Sequence, residues 1–83
     1  MTASVLNRVR QIISDVFSVD MNSVTAETHV DSIAAWDSMA HLNLVLSLEQ
    51  DFGISFTPEQ ISELTSVKVI VKQVEQKTAA AAP

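Results

Sequence analysis

Few groups in this 83-residue chain could do chemistry: an adjacent Asp37 and Ser38, the histidines His29 and His41, and scattered carboxylates, with no cysteine at all. A serine becomes a nucleophile when an oriented base takes its proton and donors await the oxyanion. His41 follows Ser38 by three residues, so on a helix it comes near the hydroxyl. Nothing in the sequence supplies an orienting group for it. The single glycine, Gly53, cannot build a Walker loop, a dinucleotide fingerprint or a nucleophile elbow. The sequence therefore assigns no catalytic residue and no metal ligand. At the start of a helix, however, the Ser38 hydroxyl sits among free backbone N–H groups at the positive end of the dipole, a good seat for a phosphate ester. A Ser or Asp in that place is ordinarily only a cap. By themselves the residues suggest a modifiable serine without naming the modifier.

Helices must position that pair, and the apolar pattern supplies four. Between Thr2 and Phe17, the residues Val5, Leu6, Val9, Ile12, Ile13, Val16 and Phe17 recur at threes and fours, which predicts an amphipathic helix capped by Thr2 or Ser4. Residues 18–37 lose the period and read as a long loop pinned by Val19, Met21, Val24, Val30, Ile33 and Trp36, with Asp31 capping a single turn into Ala34 and Ala35. A second helix is expected from Asp37 or Ser38 to Phe52, with Gly53 as its left-handed terminator. Its Met39, Leu42, Leu44, Val45, Leu46, Leu48 and Phe52 wrap around more than half the cylinder, which predicts the most buried helix.

After an extended link, Thr57-Pro58-Glu59-Gln60 is a capping box with proline at the first helical position. A short third helix follows, with Ile61 and Leu64 as its core residues. Thr65 or Ser66 then caps a fourth helix from Val67 to about Gln76, which buries Val67, Ile70, Val71 and Val74. The expected fold is all-α: a small four-helix bundle over residues 1–77, with a long loop between helices 1 and 2 and a short third helix. Residues 78–83 have nothing to pack against and are expected to be disordered.

Charge narrows the function. The formal net charge is -5, and no Lys or Arg stands between Arg10 and Lys68, where nine of the ten acids lie. Such an acidic field repels phosphate backbones, which argues against nucleic acid, and complements partners with basic patches. The longest apolar runs are four residues, so no membrane insertion is expected, and a soluble, cytoplasmic monomer is the default.

Asp37-Ser38-Met39, followed by Leu42, Leu44, Val45, Leu48, Glu49, Phe52, Gly53 and Ile54, resembles the signature of acyl carrier proteins and related carrier domains. The likeness extends over nearly the whole chain, through Phe17-Ser18-Val19-Asp20 and the Val24-Thr25 to Thr28 loop. It implies that Ser38 is the attachment point of a phosphopantetheine arm, added from coenzyme A by a phosphopantetheinyl transferase, whose thiol holds cargo as a thioester. Asp37 would assist the transferase encounter. The second helix, with Trp36, Met39, Ala40, His41, Asn43 and Glu49, would be the surface read by a loading ligase or transferase and by downstream enzymes with basic or apolar docking patches.

Two departures stand out. Met39 occupies a position where the family usually has Leu, a volume-conserving exchange that D-alanyl carriers also tend to show, so an aminoacyl cargo stays open. Fatty-acid carriers commonly place acids in the first turns of the second helix, whereas Ala40 and Asn43 stand there in this chain. That pattern looks more like free-standing carriers of specialised pathways. A non-covalent helical adaptor, in which Ser38 is only a cap, is the reading from another class. From the residues alone, Trp36 reads as an anchor over the end of the bundle and His41 as a solvent-facing position.

Overall fold

A computed structural model describes residues 3–81. It contains four α-helices and two 3-10 turns: α1 (Ala3–Phe17), turns at Met21–Ser23 and Val30–Ser32, α2 (Ser38–Phe52), α3 (Pro58–Glu63) and α4 (Val67–Ala81). The expected all-helical bundle with a short third helix is the fold observed. Ser4 lies inside α1, and Thr2, the other expected cap, lies outside the described residues.

The predicted face of α1 packs as its period dictates: Val9, Ile12, Ile13 and Phe17 are buried against Leu44, Val45 and Leu48 of α2 and Val67, Ile70, Val71 and Val74 of α4. The helix ends at Ser18, a non-glycine residue with φ 55°. Ser14 secures this turn, its carbonyl accepting the Val19 N–H at 3.1 Å and its hydroxyl donating to the Val19 carbonyl at 2.6 Å.

The long loop is pinned largely as expected, through buried Val24 and Trp36 and half-buried Val19, Val30 and Ile33. Arg10 adds a tie that its place on the polar face of α1 did not suggest, donating from its guanidinium to the carbonyls of Met21, at 2.9 Å, and Val24. Asp31 does not cap a turn into Ala34 and Ala35, which is closed by the Trp36 N–H on the Ile33 carbonyl at 3.0 Å; it lies within the preceding turn, Val30–Ser32, which is capped by His29, whose Nδ1 accepts the Asp31 N–H at 3.2 Å. Inside that turn the Asp31 side chain cannot serve as the cap. The loop is closed onto the far end of the bundle by Val30 N–H to Thr65 O and Val67 N–H to Thr28 O, both 2.8 Å.

In α2 the expected burial is corrected. Only Leu44, Val45 and Leu48 are fully buried, while Met39, Leu42 and Leu46 are 75%, 53% and 54% exposed. A single helix in a bundle this small has neighbours on one side only, so its apolar excess faces outward. Gly53 ends the helix at φ 65°, as the sequence predicts, where the left-handed conformation suits a residue without Cβ.

The capping box of α3 forms as read, with Gln60 N–H donating to Thr57 Oγ1 and Thr57 N–H donating to Gln60 Oε1. Ser66 caps α4, accepting the Val69 N–H at 3.2 Å. That helix overruns its predicted end near Gln76, and the stretch expected to be disordered from Thr78 is helical through Ala81. Alanine is the best helix former, and the Lys77 ammonium lies over the Phe56 ring at 5.3 Å, so this end is not free of contacts. Ala82 and Pro83 lie outside the described residues.

Candidate functional site

The loop arrives at α2 through two tight turns, with Trp36 N–H donating to Ile33 O at 3.0 Å and Asp37 N–H donating to Ala35 O at 2.9 Å. Asp37 is the N-cap: its carboxylate accepts the Ala40 N–H at 2.9 Å. Ser38 is therefore the first helical residue. It is exposed, and its hydroxyl bonds no other group among the described residues. The cap leaves backbone N–H groups of the first turn unbonded near that hydroxyl, where they and the helix dipole stabilise an attached anion.

Beside Ser38 lies an open cleft of about 580 Å³ between α2 and α3. Its wall is largely apolar, from Val30, Trp36, Leu42, Ile61 and Leu64, with Asp37 and Ser38 at the edge. His41 also lines it, and here the structure corrects the solvent-facing reading. The indole Nε1–H of Trp36 donates to His41 Nδ1 at 2.9 Å, and His41 Nε2 lies 2.7 Å from the Ile61 carbonyl of α3. An indole nitrogen can only donate, so Nδ1 accepts and the ring proton of the neutral imidazole sits on Nε2, facing Ile61. Both ring nitrogens are thereby occupied, and neither serves the Ser38 hydroxyl. His29, capping its own turn, does not join the site either.

The docking residues proposed from sequence divide. Trp36 is 4% exposed, its ring centroid 5.1 Å from that of Phe17, so it is chiefly a packing residue, open only where it lines the cleft. Ala40 is half-buried against the core. The carboxylate of Glu49 is taken by the Phe56 N–H at 2.9 Å, which ties the link before α3 back to α2. Met39 and Asn43 are exposed, and Leu42 and Leu46 join them on one uncharged face. Sequence reasoning missed these two leucines by counting them into the core. Their offsets of three and seven from Met39, on the side opposite Leu44, Val45 and Leu48, were the available signal.

An exposed, unbonded serine at the mouth of a helix, beside an apolar cleft in a four-helix bundle, is the arrangement of a carrier domain. Comparison with known proteins agrees. Residues 7–74 match the family model for the phosphopantetheine attachment site. The chain is 28% identical over 78 residues to the acyl carrier protein of Thermosynechococcus vestitus, covering 94% of this chain and 96% of that protein. It is 30% identical over 71 residues to that of Coprothermobacter proteolyticus, covering 86% and 87%. The solution structure of the holo acyl carrier protein from Geobacter metallireducens superposes with a TM-score of 0.82 at 34% identity, covering 92% of this chain and 87% of that one. The chain belongs to the acyl carrier protein family. It holds acyl groups as thioesters on a covalently attached phosphopantetheine, and members of this family are carriers that interact with a phosphopantetheinyl transferase and with biosynthetic enzymes. Among the described residues, no helix is long and apolar enough to cross a membrane.

Proposed function

We propose that Ser38 is the attachment point and that this carrier serves partners which dock on an apolar face of α2. The carrying observation is the exposed Ser38 at the first position of α2, next to its cap Asp37 and within the matched span. When bound, phosphopantetheine supplies the thiol on which cargo rides as a thioester. The chain's own residues do the rest. The first-turn N–H groups beside the Ser38 hydroxyl would stabilise the negative charge of a phosphodiester attached there, and the wall of Leu42, Ile61 and Leu64 would shelter an aliphatic cargo from water. Tethering then raises the concentration of cargo at each docked enzyme. Asp37 stays exposed beside the serine, where its charge steers the basic site of a phosphopantetheinyl transferase. The uncharged face of Met39, Leu42, Asn43 and Leu46 suits loading ligases or transferases and downstream enzymes whose docking patches are apolar at the centre, which favours a specialised pathway over bulk fatty-acid synthesis.

Intact-mass measurement tests the attachment point. After incubation with coenzyme A and a broad-specificity transferase, the protein gains one phosphopantetheine, and Ser38→Ala gains none. An unchanged wild-type mass, with a known carrier modified in the same tube, would return Ser38 to the role of a plain helix residue.

A further inference from the structure

The third helix is the least secured element of the bundle. It spans six residues, none of them fully buried, with Ile61 only half-buried against the core. Such an element opens at low free energy, and it forms one wall of the cleft beside Ser38. What faces it from α2 is His41, whose Nε2–H reaches the Ile61 carbonyl at 2.7 Å. That carbonyl lies in the last turn of α3, where intrahelical donors run out, and its only backbone donor among the described residues is the Leu64 N–H at 3.3 Å.

His41 is itself held from behind. The Trp36 N–H fixes its tautomer by occupying Nδ1, and the two rings stack with centroids 6.1 Å apart and planes at 23°. Trp36 in turn packs on Phe17 at the end of α1. The chain of contact therefore runs from α1 through the loop to α2 and ends on the backbone of the helix with the weakest hold of its own.

We propose that His41, oriented by Trp36, is a positioning residue that latches α3 onto α2 and so sets how well a thioester-linked cargo in the cleft is shielded. The proposal rests on the reading of Ser38 as the anchor, but its first consequence belongs to the unmodified protein. Loss of either latch bond lets α3 open more often while α1 and α4 stay as they are.

Two variants separate the latch from general packing. His41→Phe keeps a ring and removes both bonds, and Trp36→Phe keeps an aromatic ring beside Phe17 while removing the N–H together with part of the buried indole, a packing loss that would raise exchange across the core and not in α3 alone. In the unmodified protein, amide hydrogen exchange in α3 should rise by about fivefold in His41→Phe, the shift in opening expected from one lost hydrogen bond, with exchange in α1 and α4 unchanged, and in Trp36→Phe it should rise by more than in α1 and α4. In the octanoyl-loaded protein, hydroxylamine attacks the thioester carbonyl, expelling the thiol and leaving a hydroxamic acid. That cleavage should accelerate by a similar factor in both variants. Unaltered exchange in α3, an equal rise throughout the bundle, or faster α3 exchange with unaltered cleavage would each overturn the proposal. If the wild type takes up no phosphopantetheine, the Ser38 reading fails by itself, and the exchange result on unmodified protein still decides whether the latch exists.

Discussion

Arg8 of α1 and Asp51 of α2 form a two-pronged ion pair, with the guanidinium Nε–H donating to Asp51 Oδ2 at 2.8 Å and a second N–H donating to Oδ1. The pair joins the two helices on the side of the bundle away from the α2–α3 cleft. Hydrogen bonding from Arg8, with its charge, holds the Asp51 carboxyl below the ordinary value of 3.8. A folded-state pKa depressed in this way stabilises the fold above the unfolded value, and the contribution disappears as pH falls through the folded value.

Asp51→Asn should therefore be less stable than the wild type at neutral pH, by a margin constant down to about pH 4 and closing below it. Because both groups are accessible to solvent, the margin is modest and narrows in high salt. Urea midpoints measured across pH and salt check this, and a margin that persists in acid would show that Asp51 acts by packing and not by charge.

Burial ranks the next set of substitutions. Ile70 is fully buried between the helices, so Ile70→Ala should cost about 2 to 5 kcal/mol, a large share of the stability of so small a domain. Leu46, 54% exposed, should tolerate alanine within about 0.5 kcal/mol. Asp37→Ala removes the cap on Ala40 and should cost about 1 kcal/mol, whereas Ser38→Ala removes no cap and should cost less. Denaturant melts order these four, and a loss at Leu46 to match that at Ile70 would contradict the burial of α2.

The features legible in the sequence were those set by a few adjacent residues. Thr57, Pro58 and Gln60 announce the start of α3, Gly53 announces the end of α2, and the single apolar stripe of α1 leaves one way to pack it. Long-range features were not legible. Leu44 and Leu46 are chemically identical; helical spacing puts them on different faces, but only the placement of α1 and α4 decides which face is buried. The role of His41 depends on a carbonyl twenty residues away, which no local pattern announces. His29 and Asp31 both suit a turn, and backbone geometry chose the histidine. Ser38 is proposed from a local motif that the sequence displays; the cleft beside it required the tertiary fold.

Partner choice follows from the exposed face of α2. Apolar contacts near the centre of an interface set residence, while charges at its rim set encounter rate and salt dependence. Here the face nearest Ser38 carries Met39, Leu42, Asn43 and Leu46, and the acids further along are engaged, Glu49 with the Phe56 N–H and Asp51 with Arg8. From its cap to Leu48, α2 carries a single carboxylate, that of Asp37. The modified protein should therefore be a poor acceptor of malonyl groups from a standard malonyl transferase of fatty-acid synthesis. Asn43→Glu should improve loading by about two- to fivefold at low salt, the range of one exposed charge pair, and the gain should shrink as salt rises. Ala40 is left unchanged because it is half-buried, and a glutamate there would disturb packing as well as charge. Met39→Ala and Leu42→Ala should leave stability nearly intact, since both side chains are more than half exposed, yet slow loading by a ligase or transferase that docks on this face. Efficient malonyl loading of the unmutated sequence, equal to that of a fatty-acid carrier under the same conditions, would sink the apolar-docking reading and place this protein in primary lipid synthesis.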